Sequence, residues 1–459
     1  MLHHNSKRKS EISFLTWKAL WIAFIYLTAC TTIPSHPNQK VSTHFDLAIT
    51  YIMAEKWDKA IFQLKNSAQL NSDAITYHLL GMVYTKKRMW EEAIESYKKS
   101  LAITPNLLGT HQSLGEIYLK QMMWREAQAE FEKIIELDKE HAEGYIGLGN
   151  VYYNRGMWEE ALSFYNKSLE IDPNVPEAYN GRGTIHMERK QGDQAIANFK
   201  KAIELQPHYG EAHQNLGALY NLQGGYNKAI PSLEKAVEIT PDSEKAHYHL
   251  GVAYNEANQW SRAIKEFKKS IALNRDFAEA HHGLGMAYCK QGNFRRAYTP
   301  LKMAVGFKPN SEEYHYDLGA AYDEGGKIDK AIEVFENIID SNPDYSKAYF
   351  SLAFAYIKKG ESDKAIPYLK KAIAHTPQSA ELHCRLGQAY YTTNLYDEAI
   401  FEYTTAIDLD PSYAEAYYNL AVTHTTMDNT PMARKFLKKA QDLNYPIEEE
   451  LLELIKEEP

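Results

Sequence analysis

Apolar and polar residues alternate along this sequence with the period of an α-helix, and the pattern repeats about every 34 residues from residue 41 onward. When each repeat is numbered so that a Gly or Ala stands at position 8, positions 4, 7, 8 and 11 lie on one face of a helix. The residues at position 8 are Ala48, Gly81, Gly115, Gly149, Gly183, Gly217, Gly251, Gly285, Gly319, Ala353, Gly387 and Ala421. Their spacing is 33 residues once and 34 residues ten times, which gives twelve repeats.

A second apolar face follows in each repeat, at positions 20, 24 and 27. Position 20 is always alanine, from Ala60 to Ala433, and position 24 is always large, as in Phe131. Proline, which cannot continue a helix, closes eight repeats: Pro105, Pro173, Pro207, Pro241, Pro309, Pro343, Pro377 and Pro411. We expect two helices per repeat, with the small residue at position 8 facing the alanine at position 20 and large side chains filling the space beside that contact. Such a hairpin cannot cover its own apolar faces, so neighbouring hairpins must stack.

This repeat resembles the tetratricopeptide repeat (TPR) over residues 41–445, with the family's small, aromatic, alanine, aromatic and proline positions. The resemblance implies an all-α fold, a right-handed α-solenoid of about twelve TPR helical hairpins. Residues 446–459 place Ile447, Leu451, Leu452 and Ile455 along one helical face and are otherwise rich in glutamate. We therefore expect a C-terminal capping helix and an acidic tail there.

Composition and charge narrow the possible functions. With 44% hydrophobic and 24% charged residues, the chain has the composition of a globular protein with a large core. A formal net charge of -9 argues against a general affinity for nucleic acid or anionic lipid. Cys30, Cys289 and Cys384 lie far apart and form no CxxC motif, so we expect no structural metal site and no disulfide framework.

Motifs of common active sites are missing from the sequence, which has no GxSxG, no GxxxxGK[ST] and no HExxH. Outside the repeats, no segment of the sequence is long enough for a catalytic domain. We therefore predict a protein that is not an enzyme and that needs neither a cofactor nor a metal.

Two recurring polar features admit both a functional and a structural interpretation. His111, His213, His247, His281, His315 and His383 all occupy position 4 of their repeats. A metal site would need several imidazoles together, whereas equivalent positions of stacked hairpins lie about 10 Å apart. Tyrosine fills the same position elsewhere, which favours a packing role. Lysine pairs at positions 25 and 26, such as Lys98 and Lys99, lie near the ends of the second helices and favour a solvated, dipole-matched face over a binding surface.

Positions 2, 5, 9 and 12 of the first helix form a separate stripe, which the TPR resemblance implies lines a concave groove for extended or helical peptides. The candidate partner-binding residues are Asn150, Tyr153, Asn180, Asn221, Tyr248, Asn255, His282 and Tyr316. Amide side chains can bond both groups of a partner backbone, and tyrosine adds adaptable apolar contact. Any one of these residues could equally be a solvated groove residue. The Lys and Asn pairs of the chaperone-tail carboxylate clamp are missing at positions 5 and 9, and acids recur at position 2.

The N-terminal segment has the features of a bacterial lipoprotein signal peptide. Basic residues precede an apolar run of eleven residues that ends at Cys30, and a membrane span would need about 20. The ending "LTAC" resembles the lipobox, which implies cleavage after residue 29 and lipidation of Cys30. Residues 30–40 would then be a tether reaching up to about 33 Å. Thr31 stands where an inner-membrane retention signal would place Asp, so in a host with two membranes the resemblance implies outer-membrane sorting. The alternative is a signal-anchor or a mis-assigned start.

These features predict a lipid-anchored, periplasm-facing scaffold of the bacterial cell envelope, which binds proteins or peptides in its TPR groove and is held to the membrane by the lipid on Cys30. We expect no nucleic acid partner. Envelope, pilus, secretion or exopolysaccharide assembly are the pathways in which such a scaffold would act. One alternative is a regulatory or adaptor subunit of a glycosyltransferase, cell-wall hydrolase or protease complex. Another is a cytosolic chaperone adaptor.

Overall fold

The computed structural model describes residues 39–449 together with residues 451 and 453. Within that part of the chain it contains 24 α-helices and no strand. The helices are α1 Gln39–Met53, α2 Trp57–Leu70, α3 Ala74–Lys86, α4 Trp90–Ile103, α5 Leu108–Lys120, α6 Trp124–Leu137, α7 Ala142–Asn154, α8 Trp158–Ile171, α9 Pro176–Glu188, α10 Gly192–Leu205, α11 Gly210–Leu222, α12 Tyr226–Ile239, α13 Glu244–Glu256, α14 Trp260–Leu273, α15 Ala278–Lys290, α16 Phe294–Phe307, α17 Glu312–Glu324, α18 Ile328–Ser341, α19 Ser346–Lys359, α20 Ser362–His375, α21 Ala380–Thr392, α22 Tyr396–Leu409, α23 Ala414–Thr426 and α24 Thr430–Asp442.

The predicted signal peptide and Cys30 lie outside the described residues, as does most of the predicted capping helix. The helix α1 begins at Gln39, two residues before the predicted start of the first repeat. Among the described residues, no helix is long and apolar enough to cross a membrane.

The twelve predicted helical pairs are confirmed, and the fold is an all-α repeat solenoid. A single left-handed residue closes the turn between the two helices of every repeat, always at position 15. It is glycine in five repeats, as at Gly156, and a longer residue in the others, as at Arg88 and Asn258. The amide of the next residue then returns to the first helix, as where Met89 N donates to the Tyr84 carbonyl at 2.9 Å.

Glycine at position 8 makes room for the large side chain at position 24. A Cβ built on Gly149 would lie 2.5 Å from the ring of Tyr165, and one on Gly115 would lie 2.8 Å from Phe131. The ring of position 24 therefore lies over the glycine itself, and the predicted approach to the alanine at position 20 is seen at Gly285, where an added Cβ would lie 3.4 Å from the Ala297 carbonyl oxygen. A second glycine, at position 6 of the next repeat, bounds some of these rings from the other side, as Gly181 does for Tyr165.

Two compact units divide the chain, the first ending at Leu219 and the second beginning at Tyr220. Within each unit the first helices of neighbouring repeats contact one another, as α5 contacts α7 and α13 contacts α15. The second helices pack on the first helices that flank them. We call the surface formed by the side chains at positions 2, 5, 9 and 12 of these first helices the inner face.

Candidate functional site

All eight predicted groove residues lie on first helices, and none is fully exposed. Asn150 and Tyr153 are on α7, Asn180 is on α9 and Asn221 is on α11. Tyr248 and Asn255 are on α13, followed by His282 on α15 and Tyr316 on α17. The sequence pattern thus placed them on the same kind of helix, and the structure adds the contacts that hold each of them.

In the first unit, intramolecular hydrogen bonds fix the amide side chains. Asn150 Oδ1 accepts a hydrogen bond from the Tyr165 hydroxyl at 2.7 Å. Asn180 is only 4% exposed, donates to Glu211 Oε1 at 3.2 Å and accepts from Asn215 Nδ2 at 3.0 Å. Asn180 is therefore a member of a buried polar network rather than a free side chain.

Tyr153 lies beside this network, and burial followed by the charges of Glu188 and Glu211 raises the pKa of its hydroxyl. It stays a neutral hydrogen-bonding group near neutral pH. A half-buried tyrosine of this kind presents both an apolar ring and a polar tip to a ligand.

In the second unit, a ladder of side-chain bonds joins position 5 of one repeat to position 6 of the next. His282 Nε2 lies 2.6 Å from Asp317 Oδ2, and the Tyr316 hydroxyl lies 3.1 Å from Ser351 Oγ. Asn419 Nδ2 donates to Cys384 Sγ at 3.5 Å in the same register. These bonds fix side-chain rotamers along the inner face, so a partner would meet an ordered surface.

Two buried amide oxygens on this face have no hydrogen-bond partner among the residues that the structure describes. Asn221 Nδ2 donates to the His249 carbonyl at 2.8 Å and Asn255 Nδ2 donates to Glu256 at 2.9 Å, but the Oδ1 atom of each is unpaired. Tyr248 packs against Phe267 and Phe277, and burial raises the pKa of its hydroxyl to about 12. Unpaired buried acceptors of this kind can receive a backbone N–H from a bound polypeptide.

Acidic side chains at position 2 make one rim of the inner face negative in the first unit. Burial, together with the charges of Glu143 and Glu211, raises the pKa of Glu177. The three carboxylates come from position 2 of three successive repeats. A partner that brings positive charge to this rim would relieve the repulsion between these carboxylates.

The histidines at position 4 fill the structural role favoured by the sequence. For the six histidines named in the sequence analysis, the Nε2 atom lies near the carbonyl oxygen six residues earlier, as for His281 and Arg275 O at 2.9 Å. Tyr349 uses its hydroxyl in the same way, donating to the Pro343 carbonyl at 3.0 Å. In the part of the chain that the structure describes, no group of three or more His, Cys, Asp or Glu residues could hold a metal ion.

Lysines at position 25 reach the tyrosine at position 11 of the next repeat. Lys98 lies 6.0 Å from the Tyr118 ring centroid, and Lys268 lies 5.8 Å from that of Tyr288. The lysines at position 26 turn toward their own repeat, as Lys371 does toward Tyr349. The lysine pairs of the second helices therefore cover aromatic rings of the first helices, a contact that the sequence alone did not predict.

Sequence reasoning missed inner-face residues in the later repeats. The ring centroids of Phe350 and Phe354 on α19 lie 5.5 Å apart in a tilted arrangement, and Tyr391 and Tyr418 lie on the inner face of α21 and α23. They occupy positions 5, 9 and 12, so the same positional rule applied to the last three repeats would have found them.

Comparison with known proteins identifies the repeat. Sequence profiles described as tetratricopeptide repeat match residues 74–107, 142–175, 174–242, 316–380, 355–403 and 414–445. A profile described as TPR repeat matches residues 253–292 and 393–427. Together these segments cover more than half of the chain.

Similarity to individual proteins is more limited. The BBSome complex member BBS4 of Bos taurus is 38% identical over 60 residues, which is 13% of this chain and 12% of that protein. Among solved structures, the APC/C hetero-tetramer Cut9-Hcn1 is 16% identical, covering 91% of this chain and 96% of that one with a TM-score of 0.42.

Two shorter structures also match. YrrB, titled a TPR protein with an unusual peptide-binding site, is 27% identical over 40% of this chain and 95% of its own, with a TM-score of 0.35. MamA protein is 28% identical over 38% of this chain and 94% of its own, also with a TM-score of 0.35. The profile matches along the sequence, together with the helical pairs of the structure, establish that the chain belongs to the tetratricopeptide repeat family.

Proposed function

We propose that this protein is a non-enzymatic scaffold that binds partner polypeptides on the inner face of its repeats. The observation that carries the proposal is the set of half-buried amide, tyrosine and histidine side chains held in fixed positions along the first helices. Pre-positioned side chains lower the entropy that a partner's binding would otherwise cost. The unpaired Oδ1 atoms of Asn221 and Asn255 add acceptors for a partner backbone.

A pull-down with paired variants tests this function. Asn180 and Asn255 are unsuitable targets because both are buried, so their replacement would also disturb folding. Met286 and Ala320 occupy position 9 on α15 and α17 and are half-buried on the inner face. The double change Met286→Arg and Ala320→Arg should abolish capture of the partners that the wild-type chain retains.

The matched control places the same charges on the outer helix of the same region. Thr299 and Met303 on α16 are exposed, so Thr299→Arg with Met303→Arg adds two positive charges away from the inner face. Capture should survive in this control. Equal capture by both double variants would contradict binding on the inner face.

We further propose that the protein acts in the bacterial cell envelope, anchored by a lipid on Cys30. The basic, apolar and "LTAC" segments of residues 1–30 support this proposal. The pathways we favour are envelope, pilus, secretion or exopolysaccharide assembly. Metabolic labelling with a fatty acid should mark the wild-type chain and not Cys30→Ala. Labelling that survives the substitution, or none in the wild type, would contradict the anchor.

The proteins that co-purify with the chain distinguish the scaffold from its alternative. Recovery of several envelope proteins together would favour a scaffold, and recovery of one stoichiometric enzyme would favour a regulatory subunit.

A further inference from the structure

A cavity opens on the inner face of the last two repeats, within the second unit. Its volume is about 640 Å³, which lies in the range of about 300–1,000 Å³ typical of ligand pockets. The helices α21 and α23 form its walls, and residues that follow α24 form one side. The lining residues are Gln388, Tyr391, Thr392, Tyr403, Tyr418, Asn419, Val422, Thr425, Glu448 and Leu451.

Three tyrosine side chains line this cavity. Tyr403 is only 1% exposed, and Tyr391 and Tyr418 are half-buried. Tyr418 is held by the ring of Tyr445, whose centroid lies 5.0 Å away, and the Tyr391 hydroxyl lies 3.0 Å from Thr426 Oγ1. The ring faces of tyrosine carry partial negative charge, which attracts cations.

Glu448 is the one charged side chain among the described residues that line the cavity. Its field reaches the ring of Tyr418, because burial and then the charge of Glu448 raise the pKa of the Tyr418 hydroxyl. Arg385 Nη1 donates to the lining residue Gln388, at Oε1 and 3.2 Å, and to Glu415 Oε1 at 2.7 Å, so the Glu415 carboxylate already balances the charge of this guanidinium. A carboxylate beside aromatic rings, with no lining cation, favours a positively charged ligand.

From this chemistry we infer that the cavity is a subsite for a lysine or arginine side chain of the bound polypeptide. The cation would lie against the half-buried rings of Tyr391 and Tyr418, with Tyr403 beneath them, and would pair with the Glu448 carboxylate. Gln388 and Asn419 would supply hydrogen bonds to the flanking backbone. This inference rests on the proposed function, since it names the chemistry of one position of the partner.

A peptide array probes the preference directly. The intact chain is applied to degenerate nine-residue peptides with one fixed central residue: arginine, lysine, citrulline, glutamine or glutamate. Citrulline has nearly the shape of arginine but carries no charge. Peptides with arginine or lysine should be retained about fivefold more strongly than citrulline peptides, in line with the cation–π and charge terms. Glutamate peptides should be retained least.

Paired variants assign the preference to the cavity. Glu448→Gln and Tyr418→Leu should each reduce the arginine-to-citrulline ratio toward one. Glu398→Gln removes the same charge from an exposed position on the outer helix α22 and should leave the ratio unchanged. Equal retention of arginine and citrulline peptides would overturn the inference, as would an equal loss in Glu448→Gln and Glu398→Gln.

The outcome also separates this inference from the proposed function. Peptides that bind without a preference for a central cation would overturn the subsite and leave inner-face binding intact. An array that retains no peptide would overturn the subsite. Only the additional loss of any difference between the two arginine double variants in the pull-down would overturn the proposed function.

Discussion

His247 Nδ1 lies 2.6 Å from Glu266 Oε2, and both side chains are buried. The other ring nitrogen, Nε2, lies 3.1 Å from the Pro241 carbonyl. Because a carbonyl can only accept, Nε2 carries a proton, so a second proton has to lie between Nδ1 and the carboxylate. The pair is therefore a charge-assisted contact between the two helices of one repeat.

The same arrangement recurs every fourth repeat. His111 pairs with Glu130 and His383 pairs with Glu402, each at 2.6 Å, and the histidines of the three pairs are 136 residues apart. In each pair the carboxylate comes from position 23 of the second helix. Removing either side chain of such a pair leaves the other, partly buried side chain without its hydrogen-bond partner.

We predict that the stability of the third repeat falls as the pH rises above the ordinary histidine value. Burial of the His111 imidazole opposes protonation, but the hydrogen bonds to Glu130 and the Pro105 carbonyl outweigh it and raise the pKa of His111 above 6.5. A raised folded-state pKa gives stabilisation that is complete below 6.5 and is lost as pH rises through the folded-state pKa. Urea unfolding between pH 6 and pH 9 measures this loss.

Two variants identify the source of that pH dependence. His111→Tyr should reduce the dependence, because tyrosine at position 4 bonds the same carbonyl without a second proton, as Tyr349 does. His315 is the control, since its Nε2 lies 3.0 Å from the Pro309 carbonyl and position 23 of that repeat is Val334. His315→Tyr should leave the dependence as it is in the wild type. An unchanged dependence in His111→Tyr would contradict this assignment.

Gly149→Ala should destabilise the chain by about 1–3 kcal/mol of unfolding free energy, the usual cost of overpacking. The added Cβ would lie 2.5 Å from the Tyr165 ring, whose hydroxyl also bonds Asn150. Gly109→Ala is the matched control, because nothing lies within 4 Å of its added Cβ. That change should be neutral or stabilise by up to about 1 kcal/mol through helix propensity. The urea unfolding midpoints of Gly149→Ala and Gly109→Ala are compared. Equal midpoints would show that the Tyr165 ring does not need the space above Gly149.

How far the sequence predicted this structure depends on whether a contact lies within one repeat or between two. The small residue Gly115 and the large residue Phe131 belong to one hairpin, so their periodicity predicted that the hairpin needs both. The enclosure of Tyr165 by Gly181 depends on how two hairpins are offset. The pattern within a single repeat does not predict that offset, so the contact between Tyr165 and Gly181 could not be predicted from it.

The candidate site shows the same division. The spacing of positions 2, 5, 9 and 12 predicted that Asn180 lies on the inner face. The hydrogen bonds of Asn180 to Asn215 and Glu211, however, join three different positions of two neighbouring repeats. The pattern of a single repeat therefore could not predict that Asn180 is buried. The cavity beside Tyr418 also needs residues after α24, which lie outside the repeat altogether.

The thiols of Cys289 and Cys384 should react slowly in the folded chain. Burial, followed by the charge of Asp317, raises the pKa of Cys289 to about 11, and burial with Glu415 raises that of Cys384 to about 12. Both are free cysteines, and the thiolate is the reactive form. Titration with a disulfide reagent at pH 8 should detect little native reaction from either residue.

The same titration in urea also bears on the lipid anchor. Unfolding exposes Cys289 and Cys384, so a chain lipidated at Cys30 should show two reactive thiols and an unlipidated full-length chain should show three. Rapid reaction of Cys384 in the native chain would contradict the buried environment described for it.

Photo-crosslinking in the native host tests most directly whether the inner face binds partner proteins. One chain carries p-benzoylphenylalanine in place of Ala320 on the inner helix α17, and another carries it in place of Thr299 on the outer helix α16. Our account predicts discrete crosslinked partner bands from position 320, their loss when Met286→Arg is added, and none of these bands from position 299. The same partner bands from both positions, or from position 299 alone, would contradict it.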